Sequence, residues 1–156
     1  MGLFSNMVKS LQAASIDDVI CKIEEETTIP ASLVKPSGDE KNDKRVQNFI
    51  CELLKKEYGA ENVNTDYSLG GALGLKSEID MYNGKIAIIA VPAYKLTSAP
   101  KIERLVGKAV CYMHSKYDEN VLVLVVGKSS EKNETIEALE KIIDDEALYF
   151  LYKETL

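Results

Sequence analysis

The stretch SEIDMYNGKIAIIAVPAYK, residues 77–95, decides the predicted fold because it reads as two short strands joined by a tight turn. The dipeptide Asn83-Gly84 tolerates the positive φ angles that a two-residue hairpin turn requires. Asp80 lies on the first predicted strand, and the second predicted strand, residues 85–91, is an almost unbroken apolar run. The stretch therefore predicts a β-hairpin that carries an acidic side chain on its first strand.

The rest of the predicted order follows from hydrophobic periodicity on both sides of this hairpin. A helix beginning after residue 42 and a possible strand over residues 63–69 precede it, and a helix beginning near Ser98-Ala99-Pro100 follows it. Residues 121–126, VLVLVV, predict a strand that is buried on both faces, and a third helix and a last strand close the chain. The apolar positions of the first two helices are Val46, Phe49, Ile50, Leu53 and Leu54, then Ile102, Leu105, Val106, Ala109, Val110 and Met113.

The predicted order is helix, three strands, helix, strand, helix, strand. A meander followed by a right-handed crossover gives an α/β fold with a mixed central sheet and helices on both faces. In layout, residues 42–126 resemble the restriction-endonuclease-like, or PD-(D/E)XK, nuclease superfamily, and the resemblance implies an αβββαβ core. We expect this domain to span residues 39–156 and residues 1–38 to form an N-terminal helical extension and linker.

The resemblance also implies where a site would lie and what it would lack. Nucleases of this superfamily place two carboxylates around Mg²⁺ or a similar ion, with a lysine close by. By position, Asp80 matches the first acid, whereas Ala90 and Pro92 replace the second acid and the lysine. We therefore predict a catalytically degenerate, nuclease-like domain that retains its scaffold for binding nucleic acid or a protein partner. We expect it to have no cofactor.

Other residues could restore the chemistry, which leaves an active nuclease as the alternative. Glu78 shares the face of Asp80 because side chains alternate along a strand. Lys95 could reach the site if Pro92 ends or bends the second strand of the hairpin. This alternative makes Asp80, Glu78 and Lys95 the catalytic residues, with Asp80 holding Mg²⁺ or Mn²⁺. In the plainer interpretation, Asp80 is an exposed acid at a strand end.

A basic stripe on the second predicted helix favours binding to nucleic acid, although the acidic charge of the whole chain does not. Lys101, Arg104 and Lys108 lie at i, i+3 and i+7, opposite the apolar face, where they could contact the phosphates of DNA or RNA. The chain carries a net charge of −6, so its overall field does not attract phosphates. The plainer interpretation of the stripe is a solvated helix face.

A third hypothesis sets nucleic acid aside and makes the acidic chain an interaction module, such as a homodimer that packs through its N-terminal helices. No apolar run approaches the length that a bilayer requires, so we expect no membrane span, and the widely spaced cysteines favour a protein of the cytoplasm. Cys21, Cys51 and Cys111 are widely spaced, each in a predicted helix, and are expected to be reduced thiols rather than metal ligands.

Overall fold

The computed structural model describes residues 13–156, in which four α-helices surround a five-stranded sheet. The helices are α1 (Ile16–Glu26), α2 (Arg45–Tyr58), α3 (Ala99–Tyr112) and α4 (Glu134–Asp145), and the strands are β1 (Val63–Ser68), β2 (Lys76–Met81), β3 (Ile86–Pro92), β4 (Val121–Gly127) and β5 (Tyr149–Glu154). Two of these four helices, α1 and α4, begin with a side-chain cap. Ser15 and Asp18 form a reciprocal capping box at α1, and the Asn133 side chain accepts from two amides at the start of α4.

The sheet is mixed, with strands in the order β1-β2-β3-β4-β5. The first three strands form an antiparallel meander, whereas β4 runs parallel to β3 and β5 runs parallel to β4. Helices α3 and α4 make the two crossovers that these parallel pairs require. The α/β class predicted from the sequence, with a mixed sheet between helices, is confirmed.

Each face of the sheet has its own hydrophobic core. One core packs α1 and α2 against the side chains of β3 and β4 that include Ile88 and Leu122. The other packs α3 and α4 against the opposite side chains, which include Ile89 and Val123. Strand β4 is fully buried because it lies between β3 and β5 and is covered on both faces, which explains its unbroken apolar sequence.

Helix α1 belongs to the first core. Ile16, Val19 and Ile23 are buried there together with Ile29 and Val34 of the connection to α2. The apolar face that would mediate a homodimer through α1 is therefore already covered within the chain. Residues 1–12, the first part of the predicted extension, lie outside the described residues.

The hairpin predicted around Asn83-Gly84 is present, with residues 82–85 between its strands. Tyr82, Asn83 and Gly84 all have positive φ, and the register pairs Asp80 with Ala87 across the turn. The φ of 97° at Gly84 favours glycine there, because L side chains rarely adopt that backbone conformation. A Cβ at position 84 would lie 2.5 Å from Cε of Lys116, but this exposed side chain can move aside.

Among residues 13–156, no helix combines the length and apolar character needed to cross a bilayer. Cys21, Cys51 and Cys111 are free thiols, one in each of the first three helices as expected.

Candidate functional site

The strands β2 and β3 separate at one end and leave a fork in the sheet. Their ladder comprises only three pairs and ends at Ile79 opposite Ile88, whereas the ladder of β3 with β4 continues to Pro92 opposite Val126. The last residues of β3 thus have a strand neighbour on one edge only. A groove of about 520 Å³ lies at this fork, between the start of α2 and the first turns of α3.

The groove is basic on an acidic protein. Ala90, Val91, Leu96 and Leu105 supply its apolar lining. Its basic side chains outnumber its acidic ones by six to three: the former are Lys41, Lys44, Lys95, Lys101, Arg104 and Lys108, and the latter are Glu40, Asp43 and Glu78. Because the whole chain has a net charge of −6, the positive groove is a local reversal of sign.

The stripe predicted on α3 faces this groove. All three of its members, Lys101, Arg104 and Lys108, line the wall. Lys101 forms an ion pair with Glu40, and Lys108 contacts Glu78 of β2 at 2.7 Å. Both pairs are partly exposed, so each contributes little to stability. Within residues 13–156, Arg104 has no ion-pair partner, nor do Lys41 and Lys44.

Asp43 joins three segments at the edge of the groove. Arg45 donates from its Nε and one terminal nitrogen to the two carboxylate oxygens, each at 2.9 Å, and the Tyr94 hydroxyl donates to Oδ2. These bonds hold the pKa of the Asp43 carboxyl well below its ordinary value, with the Arg45 guanidinium as the main cause. The carboxylate is thus a neutralised structural group, although it borders the groove.

Lys95 reaches the groove because β3 ends at Pro92. Residues Ala93–Lys95 form a single 3₁₀ turn that redirects the chain, and the Lys95 Nζ donates to the Asp43 carbonyl at 2.6 Å. Lys95 and Glu78 therefore line the same groove, as the nuclease alternative requires of them.

Asp80 lies elsewhere. Its side chain is fully buried, and it does not line the groove. Oδ1 accepts from the Gly84 amide and from the Tyr117 hydroxyl, each at 2.7 Å, and Oδ2 accepts from the Asn64 side chain at 3.0 Å. In the structure, Asp80 holds the hairpin turn against the segment that follows α3.

Asp80 and Ala90 lie on opposite faces of the sheet. Ala90 belongs to the core beneath α1 and α2, whereas Asp80 contacts Tyr117 in the core beneath α3. The β3 residues on the face of Asp80 are Ala87, Ile89 and Val91, none of which carries an oxygen ligand. A hairpin centred on Asn83-Gly84 pairs Asp80 with Ala87, so Ala90, three residues further on, lies on the opposite face. The sequence therefore held this signal, but matching Asp80 and Ala90 by their positions in the family pattern overlooked it.

Pro92 is tolerated in β3 because the backbone amide at this position would point away from β4. The Ala87 amide donates to the Asn120 carbonyl on the β4 side, so alternation turns the backbone groups of Ile88 and Ala90 toward β2. At position 92, an amide would point into the open fork. Proline has no amide proton, and it is therefore tolerated in a strand whose neighbour is absent on that edge.

The described residues do not assemble a metal centre from protein side chains. No group of three or more His, Cys, Asp or Glu side chains among residues 13–156 is arranged to hold an ion. Glu78 is the only carboxylate that β2 contributes to the groove, and Lys108 already neutralises it. The arrangement supports binding of an anionic group more directly than metal-assisted hydrolysis.

Sequence reasoning missed the part of the groove that comes from residues 40–47. The sequence predicts that the charged segment from Asp39 to Lys44 is exposed, and it does contain exposed residues. It also carries Lys41, Lys44 and Glu40 to the wall facing α3. No sequence periodicity indicates this contact, because Glu40 and Lys101 are 61 residues apart.

No protein-family model, curated protein or solved structure matches this chain.

Proposed function

We propose that this chain is a catalytically degenerate, restriction-endonuclease-like domain that binds the phosphate backbone of nucleic acid in the groove at the fork. The observation that carries the proposal is the excess of basic side chains around an apolar floor on an otherwise acidic protein. Phosphate contacts by Lys and Arg supply most of the sequence-independent affinity for nucleic acid. Such contacts require accessible cations, which Arg104, Lys41 and Lys44 provide.

The order of elements supports the family part of the proposal. The chain runs through the helix α2, the meander β1-β2-β3, the crossover α3 and the strand β4, an order consistent with the αβββαβ core that the resemblance implies. The fork is the open end of the β2–β3 hairpin, and Glu78 and Ala90 of that hairpin line the groove, whereas Asp80 does not. The missing acid and lysine on β3 support a scaffold that binds without cleaving.

The test is the salt dependence of binding to a fluorescein-labelled DNA duplex of mixed sequence, followed by anisotropy. Combined substitution Lys41→Gln, Lys44→Gln and Arg104→Gln should abolish most of the affinity and flatten the dependence on salt. The matched control removes three charges elsewhere, through Lys56→Gln, Lys85→Gln and Lys141→Gln, which are exposed and do not line the groove. Equal loss in both variants would overturn the groove as the binding site.

A further inference from the structure

The basic wall of the groove is divided into an open part and a closed part. Arg104, Lys41 and Lys44 line the groove without ion-pair partners in the described part of the chain. Lys101, one helical turn before Arg104, is instead covered by Glu40. A carboxylate on an ammonium group makes the same charge-assisted contact that a phosphate oxygen would make.

Glu40 reaches Lys101 from a short turn that is anchored just after its end, at Asp43, but whose own residues 40–42 make no other side-chain hydrogen bond to a distant part of the described chain. It begins the one-turn 3₁₀ helix Glu40–Asn42, which follows Ser37, Gly38 and Asp39, all exposed. Gly38 has a φ of 83° and open space around its Cα. The side chains of Glu40 and Lys101 are 43% and 36% exposed, so water and ligands can reach the contact.

The second acid of the groove differs in this respect. Glu78 projects from β2, whose backbone pairs with β1, and its side chain, which contacts Lys108, is only 27% exposed. The Tyr112 hydroxyl also anchors this stretch, since it donates to the Lys76 carbonyl at 2.8 Å and accepts from the Glu78 amide at 3.3 Å. Glu78 is therefore a fixed part of the wall, whereas Glu40 is a displaceable one.

From these contacts we infer that Glu40 acts as a built-in competitor for the phosphate site at Lys101. A phosphate group that enters through the open part of the groove displaces the Glu40 carboxylate and takes its place on Lys101. The inference rests on the proposed function and adds a regulatory contact to it. In this inference, the Glu40 carboxylate lowers the affinity of the groove for a phosphate group.

The test compares wild type with Glu40→Gln in binding the same labelled duplex. Glutamine keeps the size of the side chain and removes its charge, so the variant should bind about two- to fivefold more tightly, which is the range expected from releasing one exposed ion pair. Glu103→Gln is the matched control, because Glu103 is an exposed acid on α3, the helix that carries Lys101, and does not line the groove. It should change affinity much less.

A double-mutant cycle separates local competition from the general loss of a negative charge. In a Lys101→Ala background, Glu40→Gln should no longer increase affinity, because the site for which the acid competes is gone. Circular dichroism and thermal unfolding establish that each variant is folded. Equal affinities of wild type and Glu40→Gln, or an increase that persists without Lys101, would overturn the inference while leaving the proposed function intact. Failure of both wild type and Glu40→Gln to bind the duplex at low salt would overturn the proposed function as well.

Discussion

The Tyr117 hydroxyl donates a 2.7 Å hydrogen bond to Oδ1 of Asp80, and both side chains are buried beneath α3. This contact joins the hairpin between β2 and β3 to the π-helical segment Met113–Tyr117 that leads into β4. Burial raises the pKa of the Tyr117 hydroxyl, which therefore stays protonated and acts as the donor.

Asp80→Ala should lower the free energy of unfolding by about 3 kcal/mol, because it leaves buried donors without their acceptor. The donors are the Gly84 amide, the Tyr117 hydroxyl and the Asn64 side chain. Urea unfolding followed by circular dichroism measures the change. Tyr149→Phe is a suitable control, since Tyr149 lies on β5 away from this network. A loss of less than about 0.5 kcal/mol, typical of surface substitutions, would show that Asp80 does not hold the hairpin.

Asp43 should make stability depend on acid pH. Its pKa in the folded protein lies below the unfolded value, mainly because of Arg45, so folding favours the ionised form. The stabilisation is complete above the unfolded pKa of about 3.9 and is lost as pH falls toward the lower folded pKa.

The Asp43→Asn variant measures that contribution. It should be less stable than wild type at neutral pH, and the difference should shrink as pH falls below about 4. Thermal unfolding over a pH series follows both proteins. A difference that is constant over this range would mean that ionisation of Asp43 does not stabilise the fold.

Mn²⁺ should not bind saturably to the wild-type protein in the millimolar range. A divalent ion of this kind prefers several oxygen ligands, whereas Asp80 is enclosed by hydrogen-bond donors and Glu78 contacts Lys108. Calorimetric titration provides the measurement, with Asp80→Asn and Glu78→Gln as comparison proteins. Saturable binding that either variant abolishes would favour the nuclease alternative with Asp80, Glu78 and Lys95.

Arg104→Ala should lower the slope of log affinity against log salt by about 1 for duplex DNA, since one phosphate contact is lost. Arg104 is exposed at the groove, and its ammonium neighbours on α3 are each engaged by an acid. Lys56→Ala removes an exposed charge from α2 outside the groove and should leave the slope unchanged. An unchanged slope in Arg104→Ala would remove this residue from the interface.

Much of the architecture could be predicted because its determinants are local. The apolar spacing of Val46, Ile50 and Leu54 marks the buried face of α2, and VLVLVV matches the interior strand β4. Asn83-Gly84 predicted the centre of the hairpin, although residues 82–85 rather than two residues connect its strands. These signals act over a few residues, where periodicity and turn chemistry are informative.

The site was less predictable because its contacts join distant parts of the chain. Tyr117 lies 37 residues after Asp80, and Glu40 lies 61 residues before Lys101. An acid near a turn therefore read as exposed, although the fold buries it. The stripe of Lys101, Arg104 and Lys108 was visible, but its position at a groove depended on the separation of β2 from β3.

Because one edge of β3 is open, a single backbone amide can be used to detect whether the groove is occupied. The amide of Ala90 points toward the missing neighbour, on a strand whose flanking amides of Ile89 and Val91 point into the ladder with β4. We expect exchange of its proton with deuterated solvent to depend on access at the fork rather than on unfolding of the sheet. A single backbone position, adjacent to others that exchange slowly, would register whether the groove is empty or filled.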